Sequence, residues 1–287
     1  MNIQELRKQG RDKLINANIC EAPIKADILL QYVLNITKTD LILNSNKEVT
    51  NEEEQVYIEY IEKIISGKPI QYITNAQEFM KLKFYVDENV LIPQPDTEVL
   101  VEETIKRINE YARERVEILD LCTGSGAVAI SLEHYLKDRF ELEIFASDVS
   151  KEAIEVANKN ELEIEKYNNI QFILSNMFEN IKTKKFDIIV SNPPYIERNV
   201  IPTLSIEVQN EPNIALDGGI DGLDYYRIIA KEGYKYVKSN GYILVEIGYN
   251  QAESVTNIFK NHEDKYTNIK CIKDLSGKDR VIEIKVK

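Results

Sequence analysis

Ile118-Leu119-Asp120-Leu121 runs directly into Cys122-Thr123-Gly124-Ser125-Gly126-Ala127-Val128-Ala129. The apolar run reads as a buried strand, and the glycines let the backbone turn tightly and approach a ligand without interference from a Cβ. Gly124-x-Gly126-x-x-Ala129 fits the fingerprint of a dinucleotide-binding turn. The acid that such a turn wants about 20 residues further on, to accept ribose hydroxyls, is supplied by Asp148 at the end of the next expected strand. Outward from this turn the chain alternates. Strands are predicted at 116–121, 143–147, 170–174, 186–191 and 241–247, and helices at 126–137, 151–160, 224–238 and 250–261. Such alternation is the mark of an α/β fold built on a doubly wound parallel sheet. Two last strands, around 268–273 and 280–286, suit an antiparallel edge.

The second informative stretch is Phe186-Asp187-Ile188-Ile189-Val190-Ser191-Asn192-Pro193-Pro194-Tyr195. It places an amide, two prolines and an aromatic ring at the carboxyl end of a buried strand, where open α/β sheets bind ligands. The Asn192 side-chain oxygen and the Pro193 carbonyl are two acceptors for the two protons of a planar NH2 group, and the Tyr195 ring is a face on which its plane can stack. The glycine turn alone does not separate a nicotinamide cofactor from S-adenosylmethionine, since both carry adenosine. The amine clamp does: hydride transfer has no use for it, whereas methylation of an amide or exocyclic amine has.

Before residue 75 the patterning is helical. Ala26, Leu29, Leu30, Val33 and Leu34 recur at helical spacing behind Pro23, and Val56, Ile58, Ile61, Ile64 and Ile65 form a stripe over a helix from Asn51 to Ser66. Thr50 and Glu53 make a capping box, and Gly67-Lys68-Pro69 ends the helix. Residues 77–91 read as a hairpin with its turn at Asp87-Glu88-Asn89, and Asp96 or Thr97 as the cap of a helix through Val101 and Ile105. This gives a helical bundle over 1–75, a hairpin linker over 76–95 and the α/β domain over 96–287. The stretch from Ile196 to Leu223 is long for a connection, and loops of that length are usually functional.

Composition narrows the function. The chain has 287 residues, 43% hydrophobic and 29% charged, and no apolar run approaches a bilayer span. The first residues lack a signal-peptide core, so a cytoplasmic location is expected. A net charge of −12 argues against nucleic acid as a direct partner, and no membrane partner is expected. Cys20, Cys122 and Cys271 are scattered, with neither a disulfide framework nor a metal-ligand spacing. His134 and His262 have no Ser or Cys beside them in a motif, which removes a hydrolase triad.

With these residues in view, the chain resembles the class I S-adenosylmethionine-dependent methyltransferases. Within them it is most similar to the protein-(glutamine-N5) methyltransferases that modify peptide chain release factors. The likeness runs through Gly67–Ile73, Glu78-Phe79, Leu91–Glu98, Asp120–Gly126, Ser191–Tyr195, Glu207-Val208, Glu211-Pro212, Ala215–Gly219, Asp221–Leu223 and Asp279–Val281. The resemblance implies a Rossmann-like catalytic domain with S-adenosylmethionine as cofactor and S-adenosylhomocysteine as product. It also implies a release factor as partner, methylated on the glutamine of its Gly-Gly-Gln loop and docked by the amino-terminal bundle. Cofactor contacts are then expected from Cys122, Thr123, Gly124, Ser125, Gly126, Asp148, Met177 and Asn192. Substrate contacts fall to Asn192, Pro193, Pro194 and Tyr195, of which Asn192, Pro193 and Tyr195 carry the chemistry. A monomer is expected.

The sequence departs from the family pattern at Gln94, where Arg is usual, at Asn176, where Asp is common, and at Cys122, where Gly is common. Cys122 is expected to keep the turn only with a negative φ, as a small loop residue and not a nucleophile. Asn176 offers adenine a neutral acceptor. Met177 reads equally as core or as adenine packing, and Glu207 and Glu211 equally as solvated lid charges or substrate contacts. The enzymatic alternative is an N(6)-adenine methyltransferase, which would want a basic track. A catalytically silent binding module is argued against by the intact glycine turn, Asp148 and the clamp, and an NAD-dependent oxidoreductase by the clamp.

Overall fold

A computed structural model describes residues 1–110, 114–182 and 184–287. They divide into two compact units, one of Met1–Asn75 with Ser205–Asn210, the other of Ala76–Leu204 with Glu211–Lys287.

The first unit is helical: α1 (Ile3–Asn16), α2 (Ala22–Leu34), α3 (Lys38–Leu43), α4 (Asn51–Ile65) and α5 (Ile70–Thr74). Capping boxes at Asn2/Glu5, Thr37/Asp40 and Thr50/Glu53 satisfy the first-turn amides of α1, α3 and α4. Pro23 stands in the first turn of α2, where its missing N–H costs nothing. The inward face of α4 is Tyr57, Ile61 and Ile64, one helical turn apart, whereas Val56 of the expected stripe is exposed. Arg7 and Arg11 both clasp Asp27, and Glu207 pairs with the buried Lys25.

The second unit begins with a hairpin, β1 (Gln77–Phe79) and β2 (Leu82–Phe84). Its turn lies at Met80-Lys81, both at positive φ, and not at Asp87-Glu88-Asn89. After α6 (Glu98–Glu110) come β3 (Arg115–Leu121), α7 (Ala127–Leu136), β4 (Glu141–Asp148), α8 (Lys151–Glu165), β5 (Gln171–Leu174) and β6 (Phe186–Ser191). The short helices α9 (Ile206–Gln209) and α10 (Asn213–Leu216) interrupt the long connection. Then follow α11 (Asp224–Glu232), β7 (Val237–Glu246), α12 (Ala252–Lys260), β8 (Tyr266–Lys273) and β9 (Asp279–Val286).

The sheet order is β5-β4-β3-β6-β7-β9-β8, parallel from β5 to β7 and antiparallel at the β9-β8 edge. This is the doubly wound parallel sheet with an antiparallel edge that the sequence led us to expect. Alternate residues feed two cores: Ile118, Ile188, Val190 and Leu244 pack with α6 and α7, while Leu119, Ile189, Ile243 and Val245 pack with α11 and α12. The helix expected over 224–238 ends early, because Tyr236 and Val237 pair with Phe186 at the start of β6. Strand order reverses between β3 and β6, so the crevice of a doubly wound sheet opens at the carboxyl ends of those strands.

Candidate active site

Four parallel strands, β3 to β6, end around a cavity at the carboxyl edge of the sheet, the place where open α/β sheets bind small molecules. Each strand delivers a short polar segment to it: Cys122 and Gly124 after β3, Asp148 at the end of β4, Ser175–Met177 after β5, and Asn192 after β6. The strand ends are sewn together. Thr123 N–H donates to Ser147 O at 3.0 Å, Ser175 N–H to Asp148 O at 2.8 Å, and Ser191 Oγ to Leu121 O at 2.8 Å. Val90, Leu91 and Ile214 add apolar walls, and Tyr225 an aromatic one.

Asp148 is held from behind. Its Oδ2 accepts from Gly124 N–H and its Oδ1 from Ser150 N–H, both at 2.9 Å. Burial raises its pKa above the usual carboxylate value, against the pull of those amides. The side chain is thus oriented, with lone pairs left over for a diol. At Gly124, φ is +55° and a Cβ would meet nothing within 4 Å, so the loop backbone itself faces open space.

The remaining residues of the glycine turn face inward. Thr123 Oγ1 donates to the buried Asp120 at 2.7 Å, and Thr123, Ser125 and Gly126 stand outside the cavity lining. Ser125 enters the architecture through its carbonyl, which accepts from Asn160 Nδ2 at 2.9 Å while the same side chain grips the backbone of Tyr85. Cys122 corrects the expectation of a negative φ: it sits at φ +61° in the left-handed region. Its sulfur lies 3.8 Å from Met177 Sδ, and burial pushes its thiol pKa up, away from nucleophilic character. Met177 is both core and cavity wall, being 6% exposed in the core under α11 and α12 and lining the cavity. Asn176 is exposed on the rim, with its Nδ2 on Glu179.

At the crevice Asn192 and Pro194 line the cavity, whereas Pro193 and Tyr195 do not. Asn192 Nδ2 donates to Thr97 Oγ1 at 3.1 Å, which leaves Oδ1 as what the side chain offers the cavity. Thr97 therefore spends its hydroxyl on Asn192 and does not cap α6, and Asp96 pairs with Arg280 at 2.7 Å. The Tyr195 ring turns toward the core and its hydroxyl donates to Glu246 Oε1 at 3.4 Å. Its backbone is gripped as well. Gln251 Nε2 donates to Tyr195 O at 3.0 Å, and at Gly222, where φ is +70°, a Cβ would fall 2.3 Å from that same oxygen. Gly218 and Gly222 are thus glycine because Tyr195's backbone fills the space. Glu207 and Glu211 both have partners within the fold, Glu207 at a partly exposed position and Glu211 at a buried one. Glu207 pairs with Lys25, and buried Glu211 accepts from Ile92 N–H at 2.9 Å, with its pKa raised by burial to about 7. Sequence patterns gave no sign of Glu246, Gln251 or Asn160, since each acts on a partner far along the chain.

The chain matches known proteins along most of its length. The PrmC N-terminal domain family matches residues 5–74 and the methyltransferase small domain family residues 95–207. The chain is 40% identical over 262 residues to the release factor glutamine methyltransferase of Clostridium acetobutylicum, covering 90% of this chain and 89% of that protein. It is 38% identical over 307 residues to the bifunctional methyltransferase of Rickettsia felis, covering 98% of this chain and 57% of that protein. The chain thus spans little more than half the length of these longer relatives. Among solved structures, a methyltransferase from Pyrococcus furiosus aligns with a TM-score of 0.50 at 18% identity, over 80% of this chain and 98% of the other, a likeness of fold alone. No helix among the described residues is long and apolar enough to cross a membrane.

Proposed function

The chain belongs to the release factor glutamine methyltransferase family, and from that premise we propose that it transfers a methyl group from S-adenosylmethionine to the side-chain amide nitrogen of the glutamine in a release factor's Gly-Gly-Gln loop. The observation that carries this reading is Asn192: at the reversal of strand order, its NH2 group is committed to Thr97 and its Oδ1 is left to accept.

The cavity fits the cofactor. Asp148, oriented by two backbone amides, matches a ribose diol, and Val90, Met177, Ile214 and Tyr225 suit the faces of adenine. The open backbone at Gly124 gives room for the amino-acid end. When bound, the cofactor supplies an electrophilic methyl group on a sulfonium whose departure requires no proton. The difficulty lies with the nucleophile, because an amide nitrogen's lone pair is delocalised into its carbonyl. Asn192 Oδ1 and the Pro193 carbonyl, each accepting one N–H, would turn the nitrogen toward the methyl and stabilise positive charge as it develops there. Tyr195 is held beside them, with its ring turned toward the core and not toward the cavity. Alignment of this kind supplies on the order of 7–11 kcal/mol in ideal cases; the N–C bond would form as the S–C bond breaks, and the surplus amide proton would leave to solvent after transfer, so no general base is demanded. The amino-terminal bundle is the proposed dock for the release factor, and the Rossmann-like unit the place of the chemistry.

The test is mass spectrometry of a purified release factor incubated with the protein and S-adenosylmethionine, beside a Gly-Gly-Ala control. One added methyl on the glutamine, absent from the control, is expected. Asn192→Ala should abolish it with cofactor affinity retained, and Asp148→Ala should weaken cofactor binding in calorimetry. No added methyl despite bound cofactor would overturn the substrate assignment.

A further inference from the structure

Between β2 and α6 the chain passes the cavity as Asn89-Val90-Leu91, and this passage is tied at both ends to other parts of the sheet unit. At Tyr85 the buried Asn160 of α8 accepts from the backbone N–H at 2.6 Å and donates to the backbone carbonyl at 3.0 Å, while its amide also bonds Ser125 O in the glycine turn. A turn then closes on itself. Val90 N–H donates to Asp87 O at 3.2 Å, and Asp87 Oδ1 accepts from Asn89 N–H at 3.0 Å. At the other end Ile92 N–H donates to Glu211 Oε2 at 2.9 Å. Ile92 lies in no strand or helix, so its amide has no ladder to join and depends on a side chain for its partner.

That partner carries a second wall of the same cavity. Pro212, next to Glu211, caps α10, and Ile214 and Ala215 of α10 line the cavity beside Val90 and Leu91. One hydrogen bond between residues 119 positions apart thus joins two wall segments, with Leu91 adjacent to its donor and α10 beginning after its acceptor. Ile92 is 4% and Glu211 8% exposed, so water competes little for the bond. A helix of four residues is too short to hold its own place. What fixes α10 is the bonding at its two ends: Glu211 on Ile92 at the start, and Ile196 N–H on Leu216 O at 3.0 Å at the finish. We propose that Glu211 is a positioning residue for the cofactor, its clasp on Ile92 holding the Val90-Leu91 and Ile214-Ala215 walls at the spacing that adenine requires. This rests on the reading of the cavity as the S-adenosylmethionine site.

Calorimetry of S-adenosylmethionine binding tests it, because it returns the number of sites as well as Kd. Glu211→Ala removes the acceptor and should raise Kd about tenfold without loss of sites, as expected when a preorganised wall is loosened. Glu211→Gln still accepts the Ile92 N–H and should bind within about twofold of wild type. Ile214→Ala, at an exposed position, should weaken binding by itself. In the Glu211→Ala background it should cost less than it does alone, since a displaced wall has less contact to lose. Glu211→Ala with wild-type Kd would overturn the positioning role, and a reduced number of sites at that Kd would show that Glu211 serves only the fold. Glu211→Gln as weak as Glu211→Ala would overturn it too, because the hydrogen bond would then not be responsible. So would losses at 211 and 214 that simply multiply, since Glu211 would then not act through α10. A wild-type protein that binds no cofactor would instead bring down the earlier reading of the cavity.

Discussion

Cys122 holds a backbone conformation that glycine holds at less cost. At φ +61° an L-residue is strained by about 1–2 kcal/mol, because Cβ crowds the following carbonyl. Cys122→Gly would release that strain while losing a side chain packed on Met177 and gaining unfolded-state entropy of about 0.5–1 kcal/mol. The terms nearly cancel, so urea unfolding of Cys122→Gly should lie within about 1 kcal/mol of wild type. Cys122→Val, branched at the crowded carbon, should cost about 2 kcal/mol or more. Equal losses for the two variants would show that packing and not backbone strain governs the position. The turn's glycine spacing was legible, but its tolerance of cysteine was not, because φ at 122 is imposed by strands on either side. Asp148 and Asn192 could be found because each ends a recognisable strand. Thr97 looked like a helix cap because Ser, Thr, Asp and Asn are read by local spacing, and its real partner is Asn192, 95 residues further along the chain.

Among the elements, the hairpin shows the same limit. Alternation from Phe79 to Val86 signalled paired strands, and polar Asp87-Glu88-Asn89 looked like the turn. The pairing Phe79↔Leu82 instead leaves only Met80-Lys81 at the tip, both left-handed, the geometry of a two-residue type I′ turn. Contacts from outside the hairpin hold this poor turn sequence in place. Glu98 accepts from Met80 N–H at 2.7 Å, and Tyr135 Oη donates to Met80 O at 2.6 Å. Lys81 is exposed at φ +60°. Lys81→Gly should therefore stabilise the sheet unit by about 0.5–1 kcal/mol, the strain relieved less the entropy cost of glycine. Differential scanning calorimetry should show a higher midpoint, and a lower one would mean that the lysine makes a contact of its own. The sheet itself was legible nearly strand by strand, because its buried strands are apolar runs between turn signals. The overrun of α11 was not avoidable by local reading, since Gly233-Tyr234-Lys235 continues as a 3-10 turn before β7 begins.

At the scale of the whole molecule, four buried carboxyls of the sheet unit oppose stability at high pH. Burial raises Asp120, Glu133, Glu211 and Glu246 each to about 7, from ordinary values of 3.8 for Asp and 4.5 for Glu. Between those values the folded state keeps protons that the unfolded chain has released, so stability falls as pH rises from about 4.5 to about 7 and levels off above. Carboxylates lowered by their partners, such as Glu143 beside Lys184 and Arg115, act the other way: their contribution is present above the unfolded pKa and is lost as pH falls below it. The optimum should then lie near pH 4.5, where the two effects meet, and not at neutrality. A net charge of −12 adds self-repulsion on the alkaline side, which salt screens. Glu211→Gln isolates the burial effect, because glutamine still accepts the Ile92 N–H and carries no charge to desolvate. Urea unfolding at fixed high salt should show the variant equal to wild type near pH 4 and more stable at pH 8 by about 1–3 kcal/mol. Parallel curves would mean that Glu211 ionises at little cost in the fold, and a variant less stable at pH 8 would mean that its charge is paired there and not merely buried.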